Sequence, residues 1–306
     1  MRKIGIIGSG AIGGQLAFVL LAGAYDEVIL VDIAEGLAEG KALDLMQAAA
    51  ALGYGGTVRG GTDFSALAGC EVIAVTAGVA RRPGMSREDL LAVNSRITDE
   101  VASAISRFVP ESVVIVVTNP LDLMAYRFYV KTGFPRNRVI GMAGLLDTSR
   151  YRYFLAGKAS VNTRDVEAMI LGPHSDAMVI TGRAAVGGRP LEDSISAEDI
   201  SSAADMARNG GKQIVELLKN SSAFFAPASC ISRMINAVTE DTGEIIPCSV
   251  HPGGEYGLGE LFIGLPVSLG KGGVKEIVKL DISGGEREAL LREARNIEDK
   301  IGMMKL

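Results

Sequence analysis

The chain is poor in histidine and cysteine, the side chains most used for proton transfer near neutral pH and for thiol or metal chemistry. Its 306 residues include two histidines, His174 and His251, and three cysteines, Cys70, Cys230 and Cys248. The cysteines stand far apart, with neither a Cys-x-x-Cys pair nor a Cys/His ligand spacing, so no metal is expected. An odd, sparse count fits reduced structural thiols in a cytoplasm. There is no run of lysine or arginine, and the net charge is −5. A basic face for nucleic acid is therefore not expected. One long uncharged run does occur, Ile4–Tyr25, behind Arg2 and Lys3. Its length would suit a signal peptide or a membrane span. Against that, six glycines and Gln15 interrupt it. It reads better as strand, tight turn and buried helix, in a chain that keeps off the membrane.

What is present has the balance of a soluble globular protein: 22% charged and 48% hydrophobic residues. At 306 residues the chain is long for one core, and two lobes are expected. The first lobe opens with a strand over Lys3–Ile7, the segment Gly8-Ser9-Gly10-Ala11-Ile12-Gly13, a helix to about Ala22, and a strand Val28–Val31 closed by Asp32. This is G-x-G-x-x-G between a strand and a helix. Its glycines serve a tight turn, close approach of backbone to a pyrophosphate, and close helix–strand packing. The helix N-terminus turns its free N–H groups and positive dipole end toward the phosphates. Asp32 lies where a carboxylate can take hydrogen bonds from ribose hydroxyls and repel a 2′-phosphate, which favours NAD over NADP.

Alternation continues to residue 141. Helix Gly36–Ala51, a short strand Val58–Gly60, buried strands Glu71–Thr76 and Val113–Val117, helix Leu121–Lys131 and strand Val139–Ile140 fit a doubly wound parallel sheet. Between them Val79–Glu88 is a loop carrying Arg81, Arg82 and Arg87, followed by a helix through Phe108. Such a loop either closes over an anion or is a solvated surface run. Asn119, at the end of a strand, either meets a ligand with donor and acceptor or simply turns the chain.

Beyond residue 142 the pattern becomes mixed. A helix Leu145–Ala159 carries Asp147 and Arg150 on one face, a spacing that usually marks a surface ion pair. The apolar run Val166–Leu171 reads as one buried strand, broken by Gly172 and Pro173 just before His174. Ala177–Val186 and the Gly187-Gly188 turn suggest antiparallel strands, with Glu244–Val250 and Leu261–Leu269 as further strands. Helices follow Ser196 to about Lys219, span Phe224–Val238 and follow Ser283. His251 reads as a loop residue. His174 suits proton transfer near neutral pH, since an unperturbed imidazole titrates near 6.5. A histidine in a turn also has a bland use, and the rest of the chain must decide.

Six segments decide it: GSGAIGG at 8–14, VD at 31–32, GVARRPGMSREDLL at 78–91, VTNPLD at 117–122, GMAGLLDTSRYR at 141–152 and LGPHSDAM at 171–178. In this order they resemble the lactate/malate dehydrogenase superfamily, and within it the lactate-dehydrogenase-like malate dehydrogenases of bacteria. The resemblance spans nearly the whole chain. It implies an NAD-binding Rossmann domain at 1–142, an α+β substrate domain at 143–306, and interconversion of (S)-malate and oxaloacetate in the tricarboxylic acid cycle. It implies His174 as proton donor and acceptor, with Asp147 as its carboxylate partner. Arg150 resembles the clamp on the first carboxylate, and Arg81 and Arg87 the loop arginines that meet substrate. Asn119 resembles a residue touching nicotinamide ribose and substrate hydroxyl. Asn94, Val117 and Thr118 join residues 8–13 and Asp32 as implied cofactor contacts. Dimers or tetramers are usual in the family. One departure concerns the turn itself: Pro173 and Ser175 stand where the family usually has glycines. Proline fixes φ and removes an N–H, which bears on the backbone hydrogen bonds around His174.

Overall fold

The computed structural model describes residues 2–23, 25–80, 85–219 and 221–304, leaving out the side chain of Arg87. Arg81 and Arg82 lie outside the described residues, so the loop arginines expected to meet substrate are not placed. The first half alternates strictly: β1 (Lys3–Ile7), α1 (Ala11–Leu21), β2 (Glu27–Val31), α2 (Leu37–Leu52), β3 (Thr57–Gly61), β4 (Val72–Val75), α3 (Arg87–Phe108), β5 (Val113–Val116), α4 (Leu121–Thr132) and β6 (Val139–Gly141). These strands pair in parallel, in the order β3-β2-β1-β4-β5-β6. Short Val/Ile runs buried on both faces suit a parallel sheet covered by helices, and β4 and β5 are buried along their whole length. The order reverses between β1 and β4, which opens a crevice at the carboxyl ends of the strands. The uncharged run at the N-terminus is thus β1, a turn and an 11-residue helix. Among the described residues no helix is long and apolar enough to cross a membrane.

The second half contains α5 (Gly144–Ala159), β7 (Val166–Glu167), β8 (Ile170–Leu171), β9 (Val179–Ile180), β10 (Ala185–Val186), β11 (Arg189–Pro190), α6 (Ala197–Leu218), α7 (Phe225–Thr239), β12 (Glu244–Val250), β13 (Ile263–Gly270), β14 (Gly273–Ile277) and α8 (Gly284–Met303). Strands β12, β13 and β14 do not build a sheet of their own. They continue the first one antiparallel from β6, with Ser249 opposite Gly141, so the sheet has nine strands. The hydrophobic core follows the sheet: residues of α1 and β1–β6 share one cluster with α7, β12, β13 and α8. A second, smaller cluster joins α5 to α6 through Tyr151, Leu155, Ala203 and Ala207.

Two expectations need correction here. The run Val166–Leu171 is two short strands in different sheets: β7 pairs with β10, and β8 pairs with β9. Just before β8 the Met169 carbonyl accepts the Thr181 N–H and hydroxyl, next to the β8–β9 pairing. The run is also less evenly buried than its composition suggests, with Glu167 exposed and Ala168 and Met169 half-buried between the two strands. Ala177–Val186 is likewise divided, into β9 and β10. The Gly187-Gly188 turn behaves as expected, with φ of +58° and +76° linking β10 to β11.

Candidate active site

The crest of the parallel sheet is tied together by its own turns. At Gly8 the chain leaves β1 with φ +98°, and a Cβ there would lie 2.5 Å from the Ala77 nitrogen. A Cβ on Gly13 would lie 1.9 Å from the Gly8 carbonyl oxygen, so α1 packs against this turn only without a side chain. Gly10 differs, because a Cβ there would meet nothing within 4 Å. It faces open space at the start of α1, where the exposed Ala11 begins the helix and Ile12 is partly covered. Ser9 is fully buried. Its amide donates to Asp32 Oδ2 at 2.6 Å, and the amide of Ala34 donates to Asp32 Oδ1 at 3.0 Å. The carboxylate after β2 is therefore fixed beside the glycine turn. A bare glycine lip, a helix N-terminus and a placed carboxylate together fit the pyrophosphate and ribose of a dinucleotide.

The neighbouring exits are stitched to one another. The Thr76 hydroxyl donates to the Gly8 carbonyl at 2.8 Å, and the Thr118 hydroxyl to the Ala77 carbonyl at 2.6 Å. Val117 donates its amide to Val75 at 3.0 Å. Asn94 of α3 is fully buried, and its side chain is committed to the backbone. Its Oδ1 accepts the Val79 amide at 2.9 Å, while Nδ2 donates to the carbonyls of Val79 at 3.1 Å and Asn119 at 2.6 Å. Asn94 thus holds two strand exits together with both of its amide donors spent. Asn119 itself is exposed at the crest.

His174 stands just past β8, against this crest. Its Nδ1 is 2.8 Å from Asp147 Oδ2. Only 3% of the Asp147 side chain is exposed, against 17% for His174 and for Arg150. Arg150 Nη1 meets the other Asp147 oxygen at 3.3 Å. The Asp147–Arg150 pair on α5 is thus buried at its acidic end, unlike the surface pair its spacing suggests. Arg150 Nε is buried without a hydrogen-bond partner, a donor left for a ligand. Its guanidinium lies along α6 beside two glycines, and a Cβ on Gly211 would come within 3.3 Å of Nη2. Burial works against the charged imidazole of His174. The charge and hydrogen bond of Asp147, with Asp122 behind it, outweigh burial and the opposing pull of Arg150, so the His174 pKa is raised. An imidazole with Nδ1 held by a carboxylate presents Nε2 as the working nitrogen.

Asp122 and its partner Ser249 carried no expectation from the sequence. Asp122, in the first turn of α4, accepts the His174 backbone N–H at 2.9 Å and the Ser249 hydroxyl at 2.7 Å. As an acid in a first helical turn it looks like ordinary dipole stabilisation, and nothing in the sequence marks its burial. Neither Pro173 nor Ser175 disrupts the turn: Gly172 at φ +86° exchanges both backbone hydrogen bonds with Gly264 at 2.9 Å, and Ser175 donates to the Pro173 carbonyl at 2.8 Å. His251 lies outside strands and helices, as expected of a loop residue, yet is buried. Its Nε2 is 2.9 Å from Glu260 Oε2, and its ring lies 5.1 Å from that of Tyr129. All three cysteines are buried and unpaired, and burial pushes the thiols of Cys70 and Cys230 up to about 12 and about 11.

Residues 2–141 match the family model for the lactate/malate dehydrogenase NAD-binding domain, and residues 145–305 match that for its alpha/beta C-terminal domain. The chain belongs to the lactate/malate dehydrogenase family. A malate dehydrogenase 1 of Anaeromyxobacter dehalogenans is 44% identical, with 100% of this chain and 99% of the relative covered. Among solved structures, the malate dehydrogenase of Cryptosporidium parvum superposes with a TM-score of 0.96 at 38% identity, covering 100% of this chain and 99% of that one. The lactate dehydrogenase of the same organism, complexed with lactic acid and nicotinamide adenine dinucleotide, gives 0.93 at 37% identity, covering 99% and 98%. Both names thus occur on this fold, so the fold by itself does not choose between the two substrates.

Proposed function

We propose that the chain is an NAD-dependent malate dehydrogenase that interconverts (S)-malate and oxaloacetate. The single observation carrying this reading is the 2.8 Å contact between His174 Nδ1 and Asp147 Oδ2, with Arg150 on the other Asp147 oxygen. NAD(H), when bound along the glycine turn, supplies or removes the hydride. The groups holding it are the backbone of residues 8–13, the carboxylate of Asp32 on the adenosine ribose, and Asn119, Val117 and Thr118 at the nicotinamide end. Asn94 acts there by fixing Val79 and Asn119.

Protonated His174 gives its Nε2 proton to the keto oxygen of oxaloacetate. In the other direction the neutral ring takes the hydroxyl proton of malate. Asp147 holds the tautomer and stabilises the imidazolium. Arg150 grips the first carboxylate through paired donors, which sets the reacting carbon in place. Arg81 reads the second carboxylate, with Arg87 beside it. That assignment rests on the resemblance of GVARRPGMSREDLL, and these side chains lie outside the described residues. Residues 1–142 act as the NAD-binding domain and 143–306 as the substrate domain. We place the enzyme in the cytoplasm, in the tricarboxylic acid cycle, as a homodimer or homotetramer.

The test is an assay of NADH oxidation with oxaloacetate, with pyruvate and without acid. The expected result is a preference for oxaloacetate, and a loss of about 10²–10⁴-fold in kcat for His174→Asn. A preference for pyruvate would make the chain a lactate dehydrogenase. No turnover with any 2-keto acid would make it a non-catalytic NAD-binding protein.

A further inference from the structure

We infer that Asp122 is a positioning residue for the acid–base step, registering the His174 backbone to the nicotinamide side of the crevice. The inference rests on the reading of His174 given above. Asp122 is 8% exposed and occupies the second position of α4, three residues after Asn119. Its two oxygens join this helix to two separate pieces of the second half: Oδ2 accepts the N–H of His174, in the turn after β8, at 2.9 Å, and Oδ1 accepts the Ser249 hydroxyl of β12 at 2.7 Å.

The turn that carries the imidazole has few other anchors of its own. Gly172 is fixed to Gly264 and Pro173 has no N–H to give, while the Ser175 amide is spent inside the turn on Pro173. The His174 amide is therefore the turn's one backbone donor, between Gly172 and the side of Ser175, that reaches another element. It reaches the first turn of the helix that follows Asn119. Asp147 aims the ring from α5, and Asp122 sets where the backbone under that ring stands relative to β5. Both are needed, because a ring correctly oriented on a displaced backbone misses the substrate oxygen.

Burial raises the Asp122 pKa, against the hydrogen bonds from Ser249 and His174 and the charge of His174, with Asp147 adding to the rise. A group held at that cost, with two donors aimed at it, has a use beyond capping a helix. Asparagine at this position retains both contacts: its carbonyl accepts the His174 N–H and its amide donates to the Ser249 oxygen. Alanine retains neither.

The test compares Asp122→Ala and Asp122→Asn with the wild-type enzyme in three measurements: the dissociation constant for NADH by fluorescence, kcat, and KM for oxaloacetate. The expected result is that Asp122→Ala binds NADH as the wild type does while kcat falls about 10–100-fold, the usual cost of a misplacement near 1 Å. Asp122→Asn should recover most of that loss. Should the alanine variant fail to fold, Asp122→Ser carries the test: its shorter side chain reaches neither donor and should lower kcat by about the same 10–100-fold, while turnover within threefold of wild type would overturn the inference. Turnover of Asp122→Ala within threefold of wild type, an asparagine variant no better than alanine, or a loss confined to NADH binding would overturn the inference. If the wild-type enzyme reduces oxaloacetate and His174→Asn does not, any of those outcomes sinks the role of Asp122 alone. If His174→Asn is fully active, the reading beneath it has failed instead.

Discussion

Asp147→Asn isolates the electrostatic part of the His174 pair. The substitution keeps an oxygen within reach of Nδ1 at the observed 2.8 Å and removes the charge. A hydrogen bond to a charged group contributes about 1.5–3 kcal/mol and a neutral one about 0.5–1.5. The difference, about 1–2 kcal/mol, weights the imidazolium by a factor of about 5–30. Removing it also leaves Arg150 without its carboxylate, and that cation already opposes protonation of His174. Both effects lower the His174 pKa. Reduction of oxaloacetate needs the protonated ring, so kcat/KM falls as pH rises through that pKa. In the variant the fall must begin at lower pH. Oxidation of malate needs the neutral ring, so its acid-side rise must move the same way. The assay is initial rates from NADH absorbance in both directions across the neutral range. On the alkaline side, reduction should fall about 5–30-fold further than any loss common to all pH values. A profile that kept its midpoint, or moved it alkaline, would refute the assignment of Asp147 as the group that stabilises the charged imidazole.

Other substitutions test the remaining parts of the site. Arg81→Gln should move preference from oxaloacetate toward pyruvate by about 10–150-fold in the ratio of kcat/KM values, the worth of a charged partner of about 1.5–3 kcal/mol. An unchanged ratio would transfer the discriminating role to Arg82 or Arg87. Gly13→Ala places a methyl 1.9 Å from the Gly8 carbonyl oxygen. It should cost about 1–3 kcal/mol in thermal or denaturant unfolding. Gly10→Ala, with nothing within 4 Å, should leave stability unchanged while weakening NADH binding. Equal melting of the two variants would contradict that packing. Asp32→Ser should lower the NADH-to-NADPH preference by about tenfold or more, since repelling a phosphate charge at about 4 Å costs between ~1 and ~4 kcal/mol near a protein surface. Unaltered preference in kinetics with the two cofactors would release Asp32 from that role.

The parallel half was legible because its signals are local. Buried runs such as Val72–Val75 and Val113–Val116 are short, β-branched and separated by helices of ordinary length. The glycine turn is recognisable because Gly8 and Gly13 are needed for backbone reasons that no other residue meets. The second half was less legible because its strands are two-residue pieces whose partners are far away in sequence. Strand β14 was missed altogether: it follows Gly272 and opens on Gly273, with φ of +85° and +104°, which reads as a turn, and it is only partly buried. At the site, His174 stood out by scarcity. Its pairing with Asp147, 27 residues away, came from resemblance and not from spacing. The contact between Asp122 and His174 joins residues 52 apart, and it could be found only once α4 and the turn after β8 were set side by side.

The nine-stranded sheet has a mechanical consequence. A single ribbon of strands runs from β3 to β14, and the main apolar cluster passes under the junction at β6 and β12 without a gap. Two jaws swinging on a hinge would have to tear that ribbon. A rigid opening of the crevice between two halves is therefore disfavoured by the fold. The glycine turn after β1 and the turn carrying His174, the latter through the Gly172–Gly264 hydrogen bonds to β13, are thus anchored to one and the same frame.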